Sequence, residues 1–320
     1  MTEPVRIQSR ARGAIWGTCV ADALGGPVQF KPPGTFEPIT DLRFVEPFQK
    51  PAGSYSDDGS MTLALAKSFV ESKGRYNHAR SIEHYIGWLT EGKFSTAQKA
   101  WDVGLSTRKS LSMWRQYGID NIDSTQFEIS AQLDHEGASG NGSLMRISPV
   151  GVALWTDPNR ARNVAKEQSR ITHPAIACLD ACEAYTLLIC GAMNGETKEE
   201  LCKTISDFQF HHPDLVERLA RYKTIDDWKT TSSDKITSSG WVVDTIEAAL
   251  WGFFKYESWE TGVLAVVNLG GDSDTAGAVY GSLAGIFYGY DSIPTRWVEG
   301  MQNKALIHSI AEPFAEMVPA

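Results

Sequence analysis

Two stretches of this chain place a glycine or alanine at every fourth position. Gly13, Gly17, Ala21 and Gly25 form one series, and Gly277, Gly281, Gly285 and Gly289 the other. Residues four apart lie on one face of a helix. A glycine inside a helix costs roughly 1 kcal/mol relative to alanine, so each helix needs a gain that offsets several of them. Close approach of two helix backbones supplies such a gain. Both stretches are too short to span a bilayer, which removes the membrane explanation of this spacing. The series therefore predicts two helices at the centre of a bundle, packed against each other.

Helical periodicity dominates the rest of the chain. Ala11–Leu24, Ser60–Ser72, Leu144–Trp155, Asn159–Ile171, Ala175–Met193, Gly240–Tyr256, Thr261–Leu269 and Thr275–Tyr288 all fit a 3.6-residue period better than a period of two. No internal repeat and no Pro- or Ser-rich linker divides the chain. Gly25–Gly53 is rich in proline, Asp120–Ser139 is polar, and both read as irregular loops. Long loops in a compact helical protein are often functional. The expectation is a single all-α domain over residues 1–320, an orthogonal helical bundle with its site at loops and helix ends.

Of the 320 residues, 42% are apolar and 22% charged, a globular composition. The net charge of −9, with no basic stripe, disfavours direct nucleic-acid binding. An acidic protein can still bind an anionic small molecule through metals or backbone N–H groups. The longest weakly polar run, Thr275–Tyr288, is too short and glycine-rich for a membrane span. Met1–Arg12 is polar and shows no secretory signal. The five cysteines form no C-x-x-C pair and read as reduced, mostly buried thiols, so the expected location is intracellular, cytoplasmic or nuclear. Oligomeric state is open.

Two acidic turns stand out. Ser56-Asp57-Asp58-Gly59 directly precedes the Ser60–Ser72 helix, and Gly270-Gly271-Asp272-Ser273-Asp274-Thr275 precedes the second glycine-striped helix. One carboxylate per turn is explained by helix capping. Adjacent or alternate aspartates repel one another unless a cation intervenes. Their oxygens suit hard divalent ions, and zinc is disfavoured because no His or Cys accompanies them. Two readings stay open from the residues alone: two independent caps, or one shared site for a pair of cations.

Ser139-Gly140-Asn141-Gly142-Ser143-Leu144-Met145-Arg146 leads into a helix, where glycines can turn backbone N–H groups toward an anion. It is not a Walker or dinucleotide fingerprint; alone it is a weak phosphate signal, and a turn with a cap is the better explanation. Arg146 is expected to form an internal salt bridge. His173, in Thr172-His173-Pro174, reads as a capping or packing residue that can also meet a sugar hydroxyl. His211 and His212 precede Pro213 in a surface-like loop and are given no role. Trp101 and Tyr117 can stack on a base but read first as packing residues.

In order along the chain, Gly13-Ala14-Ile15-Trp16-Gly17 through Asp22-Ala23-Leu24-Gly25, then Ser56-Asp57-Asp58, Gly140–Arg146, Thr172-His173 and Gly270–Thr275, the sequence resembles the ADP-ribosylglycohydrolase family. The resemblance spans about residues 11 to 290. It implies an all-α orthogonal bundle with a binuclear Mg²⁺ or Mn²⁺ site held by Ser56, Asp57, Asp58, Asp272, Asp274 and Thr275. It implies catalytic roles for Asp57, Asp58 and Asp272. The diphosphate and ribose of ADP-ribose would be held by Asn141, Gly142, Ser143, Leu144 and Met145, with His173 on ribose. The implied reaction is hydrolysis at C1″ of an ADP-ribosylated protein side chain, or of a small conjugate such as ADP-ribose 1″-phosphate or O-acetyl-ADP-ribose.

The chain departs from the family at two positions. Gln29 stands where many members carry a catalytic Glu, and an amide cannot accept a proton at neutral pH. Glu37 or another acid would then have to substitute. Gly59 replaces a threonine of the common T-D-D-T pattern. The alternative to an active hydrolase is a weak or inactive ADP-ribose-binding module.

Overall fold

The computed structural model describes residues 5–319; of the Met1–Arg12 stretch, residues 1–4 lie outside that description. The helices in chain order are α1 (Ile7–Gly25), α2 (Asp57–Glu71), α3 (His78–Glu91), α4 (Leu105–Tyr117), α5 (Ile122–Leu133), α6 (Ser148–Ala153), α7 (Pro158–Arg170) and α8 (Ile176–Asn194). They continue as α9 (Lys198–Asp207), α10 (Pro213–Leu219), α11 (Ile225–Thr230), α12 (Val242–Lys255), α13 (Trp259–Val267), α14 (Ser273–Tyr288), α15 (Thr295–Gly300) and α16 (Lys304–Met317). Among the described residues there is no strand, only the isolated bridges Val45–Lys50 and Gly140–Trp241. The fold is all-α.

The two glycine-striped helices, α1 and α14, lie against each other at the centre. A Cβ added to Gly13 would sit 2.6 Å from the carbonyl carbon of Gly285 and closer still to its oxygen; one on Gly17 would sit 2.8 Å from that of Gly281. On α14, a Cβ at Gly281 would meet Ala21 Cβ at 2.5 Å. Nothing larger than hydrogen fits at these crossings. The carbonyl of Gly281 also accepts from Trp259 Nε1 at 3.0 Å, which draws α13 onto the pair. Helices α2 and α16 pack on α1, α12 and α13 pack on α14, and α8 reaches α14, α12, α6 and α7.

Helix α8, rather than Thr275–Tyr288, is the longest apolar stretch. By length and composition it could cross a membrane, yet 89% of its most apolar window is buried inside the protein. Its cysteines, Cys178, Cys182 and Cys190, are buried and free, as are Cys19 and Cys202.

Two expectations are corrected. Asp120–Ser139 is not a loop: most of it is α5, a helix that buries only Thr125, Ile129 and Leu133. That stripe is a single residue wide, too narrow to register as amphipathic periodicity. Conversely, the helix expected over Leu144–Trp155 is only α6, because residues 142–146 form turns closed by Leu144 and Met145 N–H donating to Asn141 O. The Gly25–Gly53 segment is irregular as expected, holding two short 3₁₀ turns.

Candidate active site

The acidic turns meet where α1, α2 and α14 converge. Neither N-cap residue caps its own helix: the side chains of Ser56 and Asp272, at the starts of α2 and α14, make no capping bond, and in the second acidic turn only Asp274 Oδ1 reaches a backbone donor, Thr275 N–H at 3.0 Å. The start of α2 is instead capped from α1. The Asp22 carboxylate accepts from Ser56 N–H at 2.8 Å and from Gly59 N–H at 2.9 Å. A side chain at position 59 would strike the Tyr55 ring, so glycine there keeps this cap open. With the helix end already satisfied, Asp57 and Asp58 are left for other work. Ser56 Oγ donates to Asp58 Oδ2 at 2.9 Å. Carboxylate oxygens of Asp22, Asp58 and Asp274 lie within 4.8 Å of one another, all three residues fully buried. The independent-cap reading fails on this geometry.

Burial drives the electrostatics. It pushes Asp57, Asp58 and Asp274 well above the ordinary carboxylate range, and the nearby charges acting on them all come from other aspartates. Asp272 is raised for the same first reason, and Asp22 is pushed up to about 7 despite its backbone hydrogen bonds. Asp58 Oδ1 is buried and without a hydrogen-bond partner. Clustered buried carboxylates with an orphaned oxygen and no counter-charge fit a divalent cation, whose charge would reverse these shifts.

The paired glycines before Asp272 serve other loops. Gly270 and Gly271 have φ of +70° and +63°, a region that favours glycine. A Cβ on Gly271 would lie 2.9 Å from the Ser238 carbonyl carbon and closer still to its oxygen, and one on Gly270 would meet Phe36 at 2.9 Å. Phe30 N–H donates to Gly271 O at 2.6 Å, and Gly271 N–H to Lys31 O at 2.9 Å. This clamp sends Gln29 inward, where it is 1% exposed and neither amide atom has a hydrogen-bond partner. It leaves Phe30 at φ +65° and 63% exposed.

Beside this centre opens a cleft of about 730 Å³, lined by Asp57, Asp102, Asp272 and Thr275 on one side. Gly140, Asn141, Gly142, Met145 and His173 contribute a glycine-rich wall, and Val103–Thr107 and Ser238–Gly240 complete the lining. Of the expected substrate residues, Asn141, Gly142, Met145 and His173 line it. Ser143 and Leu144 lie behind the wall: the Ser143 hydroxyl accepts from Ser169 Oγ at 2.8 Å, and Leu144 belongs to the core. Ser56, Asp58, Asp274 and Gln29 are buried and do not line it.

His173 is oriented by a relay. Arg146 Nη2 donates to Thr172 Oγ1 at 2.8 Å, which leaves the hydroxyl hydrogen for His173 Nδ1 at 2.7 Å. The network thus assigns the ring proton to Nε2, on the side that faces Gly140 and Gly142. Burial, then the Arg146 charge, lowers the His173 pKa to about 3. Among the described residues Arg146 has no acidic partner, so the expected internal salt bridge is not formed. Its guanidinium donates to Gln168 Oε1, Gln168 O, Gly142 O and Thr172 Oγ1, and lies 4.6 Å from the Tyr85 ring centroid. A guanidinium shared among neutral acceptors fixes the glycine-rich turn without placing another carboxylate beside the acidic centre.

Three groups were not legible as site residues. Asp22 is the lone acid of α1, which was the available signal. Asp102 sits in no motif; it lines the cleft at φ +56°, and burial raises its pKa to about 6 while the adjacent Gln29 amide opposes the rise. Ser238–Gly240 joins the two motifs: Ser238 O accepts from Asp272 N–H, and Gly240 O from Asn141 N–H. Elsewhere, His212 is not in a surface loop. It is 5% exposed, with Nε2 at 2.8 Å from Glu136. Trp101 is a packing residue, 5.2 Å from Phe48 between ring centroids, while Tyr117 is exposed at the end of α4. Glu37 is exposed and lies outside the cleft.

A family model described as ADP-ribosylglycohydrolase matches residues 3–319. The chain is 30% identical to the ADP-ribosylarginine hydrolase Tri1 of Pseudomonas putida, over 99% of this chain and 80% of that protein. It is 29% identical to the ADP-ribosyl-[dinitrogen reductase] glycohydrolase of Rhodospirillum rubrum, covering 95% and 94% of the two chains. A solved structure described as an ADP-ribosylglycohydrolase-related protein complex superposes with a TM-score of 0.77 at 29% identity, covering 97% of this chain and 98% of that one.

Proposed function

The chain belongs to the ADP-ribosylglycohydrolase family, whose members hydrolyse ADP-ribose conjugates, and on that premise we propose that it cleaves the C1″ bond of such a conjugate as a single-domain, divalent-metal-dependent enzyme. The observation that carries this reading is the convergence of Asp58 and Asp274, from turns more than 200 residues apart, onto Asp22 within 4.8 Å. Ser56, Asp57, Asp58, Asp272, Asp274 and Thr275 are the proposed ligands of two Mg²⁺ or Mn²⁺ ions. Such ions supply charge to polarise a water and to bind vicinal hydroxyls.

The protein's own groups do the rest. Backbone N–H groups of the glycine-rich turn, those of Gly140 and Gly142 but not that of Asn141, which is committed to Gly240 O, receive the diphosphate, and His173 donates from Nε2 to a ribose hydroxyl. Carboxylates along the floor stabilise the oxocarbenium character that develops as the bond from C1″ to the acceptor breaks. Water adds to C1″, one of its protons leaves to a base, and the departing acceptor gains a proton. Gln29 cannot be that base. Asp102 takes the role: it faces the cleft, adjacent to Gln29, where it can accept a proton from the attacking water.

A panel of conjugates incubated with purified protein and Mn²⁺ or Mg²⁺ tests this reading: ADP-ribosyl-arginine, ADP-ribosyl-serine, ADP-ribose 1″-phosphate and O-acetyl-ADP-ribose. Metal-dependent release of ADP-ribose from at least one is expected. Tight ADP-ribose binding in calorimetry, with no turnover of any conjugate, would select the binding-module alternative.

A further inference from the structure

The Asn141 side chain is expected at the substrate, yet both of its N–H groups are committed within the protein. Nδ2 donates to Asp272 Oδ2 at 2.6 Å and to Thr245 Oγ1 at 2.9 Å. Thr245 is fully buried near the start of α12 and does not line the cleft. Its own hydroxyl hydrogen has carbonyl acceptors in Ser239 O at 3.0 Å and Trp241 O at 3.2 Å. A hydroxyl that donates to a carbonyl presents only lone pairs to Asn141. It therefore selects the amide orientation in which the NH₂ group, not the oxygen, faces Asp272. The opposite orientation would set an amide oxygen against a carboxylate.

We infer that Thr245 is a positioning residue for the metal turn, acting through Asn141 to hold the Asp272 carboxylate in its ligating orientation. The chain Thr245–Asn141–Asp272 ties the first turn of α12 to the N-cap of α14 across the glycine-rich wall. It also makes cation binding and cradle geometry depend on one amide. Groups that orient a metal ligand typically change metal affinity 10- to 100-fold when removed. The inference rests on the proposed metal site, so its test is a binding measurement without substrate.

Mn²⁺ is titrated into the metal-free full-length protein while the electron paramagnetic resonance signal of free Mn²⁺ is followed. Thr245→Val keeps the shape and deletes the hydroxyl; it is expected to weaken Mn²⁺ binding about 10-fold or more. Thr245→Ser, which keeps the hydroxyl, should retain wild-type affinity. Asn141→Ala should weaken binding at least as far, and Thr245→Val added to Asn141→Ala should cause no further loss, since both act through one contact. Unchanged affinity in Thr245→Val, or additive losses in the double variant, would overturn the relay. If Thr245→Val does not fold, as judged by its metal-free melting curve, Thr245→Ala read against Thr245→Ser makes the same comparison. A wild-type protein that binds no Mn²⁺ would overturn the metal-site reading itself, an outcome distinct from a wild type that binds and a Thr245→Val variant that binds equally well.

Discussion

At the residue scale, the site stores unneutralised carboxylates. Burial and mutual repulsion raise Asp58 and Asp274 together, so removing one charge has opposite effects on stability and on function. Asp58→Asn is expected to raise the melting temperature of the metal-free protein while lowering both Mn²⁺ affinity and turnover. A fall in the metal-free melting temperature would show that Asp58 is stabilising as it stands. The Gln29–Asp102 pair gives a second prediction. Asp102→Asn should lower kcat by about 10²- to 10⁴-fold, the usual contribution of a general base, with little change in Mn²⁺ affinity. Gln29→Glu should raise glycohydrolase activity and partly rescue Asp102→Asn. Steady-state kinetics on the best substrate of the panel checks both.

At the element scale, the α1–α14 crossing inverts an ordinary rule. Gly→Ala in an exposed helix gains about 1 kcal/mol. At Gly17 the new Cβ would run into the backbone of Gly281, so Gly17→Ala should lower the melting temperature instead. Gly281→Leu, which would meet both Gly17 and Ala21, should abolish folding; a soluble, cooperatively melting Gly281→Leu protein would reject the central role of this pair. The crossing also positions the chemistry. A Cβ on Gly25 would meet the backbone of Asp274 at 2.5 Å, and Ser273 Oγ donates to Gly25 O at 3.0 Å. The stripe that lets the helices touch thus delivers the second acidic turn to the end of α1, where Asp22 waits.

At the scale of the whole molecule, the acidic centre links stability to pH and metal. Asp22 rises from an ordinary 3.8 to about 7 in the folded protein, and Asp102 to about 6. A carboxyl raised on folding binds more protons in the native state, so native stability falls as pH climbs from the unfolded value through the folded one. The metal-free protein is therefore expected to melt at progressively lower temperature between about pH 4 and pH 7. Mn²⁺ should remove most of that decline, and its affinity should weaken below about pH 7 as protons compete for the ligands. Melting curves across this range, with and without Mn²⁺, check the sign; a metal-free melting temperature that rises with pH would contradict it.

Local chemistry is readable when its cause is local. The glycine series announced the central helix pair, because helical spacing and the bulk of a Cβ are properties of neighbouring residues. Asp57, Asp58, Asp272 and Asp274 declared themselves because two acids in one turn exceed what a cap requires. Helix α5 leaves no periodic signal because its buried stripe is one residue wide, and the true cap of α2 leaves none because it comes from Asp22 in another helix. Asp102, the Ser238–Gly240 strap and the Thr245–Asn141–Asp272 relay depend on segments that meet only after the core has closed. Amino-acid order alone determined which residues carry charge and which helices can touch. The tertiary structure decided which carboxylates share one space, because burial and proximity, unlike periodicity, exist only between parts of the chain brought together by packing.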